Sequence, residues 1–497
     1  MWLRTTSKMH PLRSRPFFLL SLPLIDWSAL AAPTSDLNQQ VILHDNSDDG
    51  ASPHLGHGRR RASITEQNST LCDAGSRQWS GTVPVSGGRE MFFWFFESRK
   101  SPETAPVTIW LNGGPGASSL LGAFHETGPC RVTEDGSATV RAESTWTSFS
   151  NMLFIDQPIG VGFSDPGDPE LWSETLAEAA IDLDLFLDAF LEDHFPHLRQ
   201  APLHFAGESF AGRYCPVYAD MMRRSFDSII LVDAAVNLPQ TFLGVYDHFC
   251  SPGAVPSGNG FNSSACAEMA VGYSSCENLG RLCDATYDGQ VCRSAMETCY
   301  YVAEPYQRQV VAGGQNPYDD RKTCIDPPMC GGMGMEQVAS FLNLDWVQDA
   351  LQIERMKFQT VNMDFNSHWA EKSDAYIPSI REIGRLLDVK KTPILVLNGN
   401  NDVVVNTEGV LRLYDSLLWS GHAAYRSQDL QSWYYSDESG EKTFGGRMKK
   451  EQNLAVVTID EAGHMSPHDQ PDAVLQLVER WTQGGPSAVW GMTKRDV

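Results

Sequence analysis

Short apolar runs separated by polar, glycine-rich stretches set the rhythm of this chain from residue 91 onward. Met91–Phe96 (MFFWFF), Pro106–Leu111 (PVTIWL) and Asn151–Ile155 (NMLFI) are nearly continuous in large apolar side chains. Such runs predict strands covered on both faces, because a half-exposed strand alternates apolar with polar residues. Leu203–Ala206, Ser228–Val232, Ile394–Leu397 and Leu454–Ile459 predict further strands. Between Ser173 and Phe195, acidic and apolar residues recur at helical spacing, with Leu183, Leu185, Phe186 and Phe190 assigned to the apolar side. Apolar strands alternating with helices predict an α/β fold: a mostly parallel sheet with helices on both faces. Its chemical groups should collect beyond the carboxyl ends of the strands.

Several candidates lie at those ends. Phe205–Tyr214 reads FAGESFAGRY, with Ser209 at its centre. Gly207 and the small pair Ala211-Gly212 leave room for a tight strand-to-helix turn. Such a turn exposes a serine hydroxyl to a base and to helix N–H groups. Position 211 is alanine, so the strict G-x-S-x-G pattern is missed by one methyl group. A serine is a weak nucleophile unaided and needs a histidine and a carboxylate. Asp402 follows the strand Ile394–Leu397, and His464 follows Leu454–Ile459. The order Ser209, Asp402, His464 is that of α/β-hydrolases. His468 and, more distantly, His368 compete for the base. Asp156 also follows a strand, but it precedes the serine and suits backbone contacts better. The structural alternative for Ser209 is a small capping serine.

Asn112-Gly113-Gly114-Pro115-Gly116 is a glycine-rich turn with no Gly-Lys-Ser/Thr after it, which disfavours phosphate binding. As an oxyanion hole, it would supply the N–H of Gly114 beside that of Phe210. Glu208, directly before the candidate nucleophile, would repel an oxyanion if ionised. It makes sense if it shares a proton with a second acid, for which Glu126 is the candidate. The alternative is a salt-bridged structural glutamate.

Composition narrows the setting. The chain has 497 residues and a formal charge of −24, from 62 acidic against 38 basic side chains. No basic stripe is present to neutralise phosphates, which argues against nucleic acid as a partner. Arg4, Lys8, Arg13 and Arg15 precede the apolar stretch Phe17–Ile25, and Ala29-Leu30-Ala31 offers a cleavage site, so residues 1–31 read as a signal peptide. Residues 32–70 read as a disordered or pro-segment leader in which Arg59-Arg60-Arg61 invites processing. No later apolar span is long enough to cross a bilayer, and no membrane anchor is expected. Asn68 and Asn262 open glycosylation sequons. Most of the 11 cysteines fall between Cys250 and Cys330, without paired C-x-x-C knuckles. That pattern disfavours zinc and predicts disulfides in an oxidising compartment. The expected organisation is an α/β core over 71–237 and 336–497, interrupted by a disulfide-rich cap over 238–335 that is poor in long periodic runs. No metal or organic cofactor is called for.

These stretches together resemble the serine carboxypeptidases, an α/β-hydrolase family. The resemblance rests on Phe92–Arg99 (FFWFFESR), Trp110–Ser119 (WLNGGPGASS), Glu126–Pro129 (ETGP), Phe154–Ser164 (FIDQPIGVGFS), Gly207–Pro216 (GESFAGRYCP) and Ala462–Pro467 (AGHMSP), and runs from about residue 72 to 485. It implies a triad of Ser209, Asp402 and His464, with Gly114 and Phe210 as oxyanion donors. It also implies a clamp on the substrate's terminal carboxylate from Asn112, backbone near Gly113, and the pair Glu126 and Glu208, in which a protonated glutamate donates at acid pH. It implies the bridges Cys72–Cys130, Cys250–Cys266, Cys276–Cys299, Cys283–Cys292 and Cys324–Cys330, leaving Cys215 free. Ala117 and Val361 stand where the family usually has a bridged cysteine pair, and Val405 where some members have a cysteine. Phe210 replaces a tyrosine, and Arg213 replaces a histidine with a bulky cation expected to alter a subsite. Side-chain pockets are expected from the insertion and from residues around Trp369 and Trp433. The expected activity is release of C-terminal residues from peptides, by a monomer or homodimer that is secreted or held in a vacuole-like acidic compartment. The alternatives are ester hydrolysis or acyl transfer on the same scaffold, and a binding protein on an inactive hydrolase fold.

Overall fold

The computed structural model describes residues 62–251, 263–308, 314–325, 329–331, 333–437 and 439–489. The signal peptide, Arg59–Arg61 and Asn262 lie outside the described residues, while Asn68 is exposed. The strands are β1 (Ser63–Gln67), β2 (Gln78–Pro84), β3 (Glu90–Phe96), β4 (Val107–Leu111), β5 (Cys130–Val132), β6 (Thr139–Arg141), β7 (Asn151–Ile155), β8 (Leu203–Glu208), β9 (Ser228–Val232), β10 (Ile394–Gly399), β11 (Gln431–Ser436), β12 (Lys442–Glu451) and β13 (Leu454–Ile459). One 11-stranded sheet runs β1-β2-β3-β7-β4-β8-β9-β10-β13-β12-β11, and β5 pairs with β6 apart from it. The centre, from β7 through β13, is parallel, while both margins are antiparallel.

The period-two alternation of strand side chains sorts the apolar residues into two cores, one on each sheet face. On β3, Met91, Phe93 and Phe95 join the core that contains Leu183, Phe186 and Phe190. Phe92, Trp94 and Phe96 point the other way, into the core of Phe124, Trp146 and Phe341. This explains why the run lacks polar interruptions: neither face meets water.

The helix expected over 173–195 begins at Leu176, where Thr175 Oγ1 accepts the Glu178 N–H at 3.1 Å, and runs regularly to Asp188. It continues as a wider π-type turn over Ala189–His194. Leu185 departs from expectation and is 44% exposed. Two residues on from Leu183 it lies about 200° round the helix, on the opposite face.

The insertion between β9 and β10 is more regular than its Gly, Ser and Tyr content suggests. Helices span Leu238–Cys250, Ser263–Thr286 and Gly289–Tyr306. Cys276 and Cys283 are seven residues apart, as are Cys292 and Cys299, so each pair occupies one helix face. The facing pairs are joined as Cys276–Cys299 and Cys283–Cys292. The other bridges are Cys72–Cys130, Cys250–Cys266 and Cys324–Cys330; Cys215 is free and buried.

Candidate active site

The turn after β8 carries Ser209 at φ +58°, a left-handed conformation that non-glycine residues hold only under tight support. The support is local. Ser209 N–H donates to Val232 O at 3.1 Å, and its carbonyl accepts from Gly212 and Ala235 at 2.9 and 2.8 Å. Residue 207 has to be glycine, because a Cβ there would lie 2.5 Å from Cys215 Sγ and 2.7 Å from Ala211 Cβ. Helix Ala211–Met221 then leaves the turn.

Asp402 and His464 come from the ends of β10 and β13. His464 Nδ1 lies 2.7 Å from Asp402 Oδ2, and Asp402 Oδ1 accepts the Val405 N–H at 3.0 Å. His464 N–H donates to Tyr318 O at 2.7 Å, and the two rings meet edge to face at 5.4 Å. Burial opposes the imidazolium. The charge and hydrogen bond of Asp402, with Asp233 and Glu126 behind them, outweigh it and raise the pKa of His464 above the ordinary value. Ser209 and His464 line one cleft with Asn112, Gly113, Gly114 and Glu208.

At its floor, Asn112 Nδ2 reaches Glu208 Oε1 at 3.1 Å and Glu126 Oε1 at 3.2 Å. The orientation of the amide is fixed because Asn112 Oδ1 accepts from Trp110 Nε1 at 2.8 Å and Gly122 N at 2.9 Å. Burial, then the neighbouring Glu126 carboxyl, push the Glu208 pKa well above the carboxylate range. The Oε2 atoms of both glutamates are buried without a donor, which one proton held between the two carboxyls would remedy. Gly113 lets the turn press against the nucleophile segment: a Cβ there would stand 2.3 Å from Phe210 N.

The rivals fall elsewhere. His468 is exposed and stacks on His125 at 4.0 Å. His368 packs edge-on to Trp172 at 5.6 Å. Neither lines the Ser209 cleft. Asp156 accepts from Ser118 Oγ (2.5 Å), Ser119 N (3.0 Å) and Phe163 N (2.8 Å), and burial, opposed by these bonds, raises its pKa to about 6.

Arg213 corrects an expectation. It is fully buried and turned away from the cleft, donating to the carbonyls of Ala375 and Tyr376 and lying over the Phe210 ring at 5.1 Å. Trp369 and Trp433 are likewise buried and do not line the cleft; Asn366 does. Ala117 and Val361 face each other as an isolated antiparallel pair, so the backbone keeps a cross-strand contact without a bridge.

Two features escaped the sequence reading. Met329, Met333, Met335 and Val361 form a wall shared by the Ser209 cleft and an adjoining groove of about 820 Å³. Asp233, at the end of β9, is buried beside Asp402 and His464. Among the described residues, no group of three His, Cys, Asp or Glu side chains is arranged to hold a metal ion.

A parallel-centred sheet with a serine on a strained strand-to-helix turn, and an Asp–His pair on later strand ends, defines an α/β-hydrolase. The description of the serine carboxypeptidase family matches residues 72–484, and the chain belongs to that family. It is 33% identical to Carboxypeptidase Y homolog A of Talaromyces stipitatus over 85% of this chain and 76% of the relative. It is 32% identical to Carboxypeptidase Y of Komagataella phaffii, over 82% and 76% respectively. Among solved structures it is similar to Kex1(delta)p, a prohormone-processing carboxypeptidase from Saccharomyces cerevisiae. The TM-score is 0.70 at 25% identity, covering 84% of this chain and 94% of that one.

Proposed function

We propose that this protein removes C-terminal residues from peptides at acid pH through an acyl-enzyme on Ser209. One observation carries the reading: Asn112 and Glu208 line the same cleft as Ser209 and His464, and Glu126 is buried against Asn112 behind them. A terminal carboxylate would accept from Asn112 Nδ2 and from the proton held between the glutamates, which leaves the last peptide bond at the serine. An internal peptide bond or an amidated end offers those groups a single neutral carbonyl in place of two charged oxygens.

The chemistry follows from the positions. Ser209 Oγ attacks the scissile carbonyl while His464 Nε2 takes its proton, and Asp402 keeps the imidazole in the tautomer that permits this. The N–H groups of Gly114 and Phe210 meet the oxyanion, where loss of one donor typically costs about 10²–10³ in turnover. His464 returns the proton to the departing amino acid, and water, activated by the same imidazole, frees the acyl group.

An acid-working enzyme needs its base neutral, so an ionised acid near His464 beyond the Asp402 that orients it is a handicap. Shared or retained protons on Glu208 and Asp233 remove that handicap at low pH. Bridged cysteines and the basic, then apolar N-terminus support passage through the secretory route, to the outside or to a vacuole-like compartment.

An active-site serine phosphonylating reagent tests the chemistry. Stoichiometric labelling on the peptide containing Ser209, with peptidase activity lost in step and absent in Ser209→Ala, is expected. Labelling elsewhere, or an active Ser209→Ala enzyme, would overturn it. Ester turnover without peptide cleavage would favour the esterase or acyltransferase reading.

A further inference from the structure

Asp233 is the first residue beyond β9, the strand between the one that leads to Ser209 and the one that leads to Asp402. Its backbone sits between the two atoms that hold the serine turn, Val232 O and Ala235 N. Its own N–H continues the ladder to Leu397 O at 2.8 Å. The side chain makes two further connections. Oδ1 accepts the Gly399 N–H at 2.7 Å, three residues before Asp402. Oδ2 accepts the Ser466 N–H at 3.2 Å, two residues after His464. A single side chain thus touches the segments of the acid and the base from a backbone that anchors the nucleophile.

We propose that Asp233 is the positioning residue of the catalytic constellation, fastening the Asp402 and His464 segments to the strand that supports Ser209. The proposal rests on the reading of Ser209, Asp402 and His464 as the triad. It gives a reason for an acid in an expensive place. Asp233 is fully buried, at φ +45°, a conformation that Asp and Asn tolerate better than other side chains. Burial and the charge of Asp402 raise its pKa well above the ordinary range, although His464, the Gly399 N–H and the Ser466 side chain oppose this. Burial and Asp402 thus favour its protonated form. Ser466 Oγ is buried, and its hydroxyl interacts with the Asp233 carboxyl as a further contact to the segment that carries His464. In its protonated form the carboxyl still accepts from both amides and adds no second anion to the Asp402–His464 pair.

The test uses the whole protein with Asp233→Asn, Asp233→Gly and Ser209→Ala. Asparagine keeps the shape, the Oδ1 acceptor and the neutrality. Glycine removes the carboxyl without forcing another Cβ into the left-handed backbone. Amino-acid release from a blocked dipeptide at pH 4.5 is compared with labelling by the phosphonylating reagent and with thermal unfolding. Asp233→Gly leaves two buried N–H groups unpaired, and its kcat is expected to fall on the order of 10- to 100-fold, with KM within about threefold. Asp233→Asn is expected to restore kcat to within about fivefold of wild type, because the better of the two amide contacts survives. The proposal is overturned if Asp233→Gly keeps wild-type kcat, if KM carries the loss, or if asparagine rescues nothing while unfolding at the wild-type temperature. A labelled, active Ser209→Ala enzyme would instead overturn the triad reading, leaving the two failures distinguishable.

Discussion

Replacing Glu208 by glutamine should uncouple peptide binding from pH. Asn112 Nδ2 forks between one oxygen of Glu208 and one of Glu126, at 3.1 and 3.2 Å, and the other oxygen of each is buried without a donor. Such a pair keeps one proton to higher pH than a lone carboxyl, and Glu208 is raised by burial first and Glu126 second. A substrate carboxylate adds a third negative group, so it binds only when the pair carries a proton to donate. A hydrogen bond to a charged group contributes about 1.5–3 kcal/mol, or about 10- to 150-fold in KM. Above the pair's titration, each pH unit removes about tenfold of the competent form, so KM for a free-acid peptide should climb about tenfold per unit. A glutamine at 208 donates at every pH. It should raise KM modestly at pH 4.5 and flatten the climb at higher pH. The assay is initial-rate release from a blocked dipeptide, with its ester as the control lacking a carboxylate. An ester KM that climbs as steeply as the acid's, or a Glu208→Gln enzyme with the wild-type slope, would refute the reasoning.

Other expectations follow from buried charges and pairings. Burial alone would lower the pKa of His248, but its hydrogen bonds to Asp320 (3.2 Å) and Glu408 (3.1 Å) raise it to about 9. The contribution, about 3 kcal/mol, is present in full below pH ~6.5 and lost as pH rises through about 9. His248→Gln should therefore be much less stable than wild type at pH 6 in urea unfolding and nearly equal to it at pH 10; a constant gap would count against the ion pairs. Asp156, raised to about 6, favours the fold in its protonated form, so about 3 kcal/mol should be lost as pH climbs from about 4 past 6. Asp156→Asn should flatten that part of the pH–stability curve, and an unchanged slope would be contrary. Ser118 N to Thr360 O and Asn362 N to Gly116 O, both 2.9 Å, frame Ala117 and Val361 as a non-hydrogen-bonded pair with side chains facing. Ala117→Cys with Val361→Cys should close a disulfide and add up to about 2–4 kcal/mol. Thiols that remain titratable after oxidation would contradict the pairing.

Much of the framework could be read from local pattern, because strand ends in a parallel sheet converge by topology. The runs ending at Ser209, Asp402 and His464 needed only their hydrophobic cores and order to be placed on one edge. The cluster of Asn112, Glu126 and Glu208 was legible through electrostatics: an acid beside a nucleophile demands a neutralising neighbour. Asp233 was not legible, since its meaning comes from the register that sets β9 beside β10, and nothing adjacent in sequence marks it. Leu185 was misplaced by grouping residues two apart on one helix face. The cap's helices were hidden by composition, although the seven-residue cysteine spacing carried their period. Arg213 was expected near a subsite because it follows the serine by four residues. That interval places it one turn down a buried helix, facing Ala375 and Tyr376. The methionine wall is assembled from a short glycine-rich loop, for which periodicity gives no direction.

The most direct test of the central claim compares a blocked dipeptide with its C-terminal amide at pH 4.5 and pH 7.5, following amino-acid or amino-amide release. Rapid release from the free acid at pH 4.5 and little from the amide are expected, with a ratio that shrinks at pH 7.5. Equal release from both substrates at pH 4.5 would contradict carboxylate recognition by Asn112, Glu126 and Glu208.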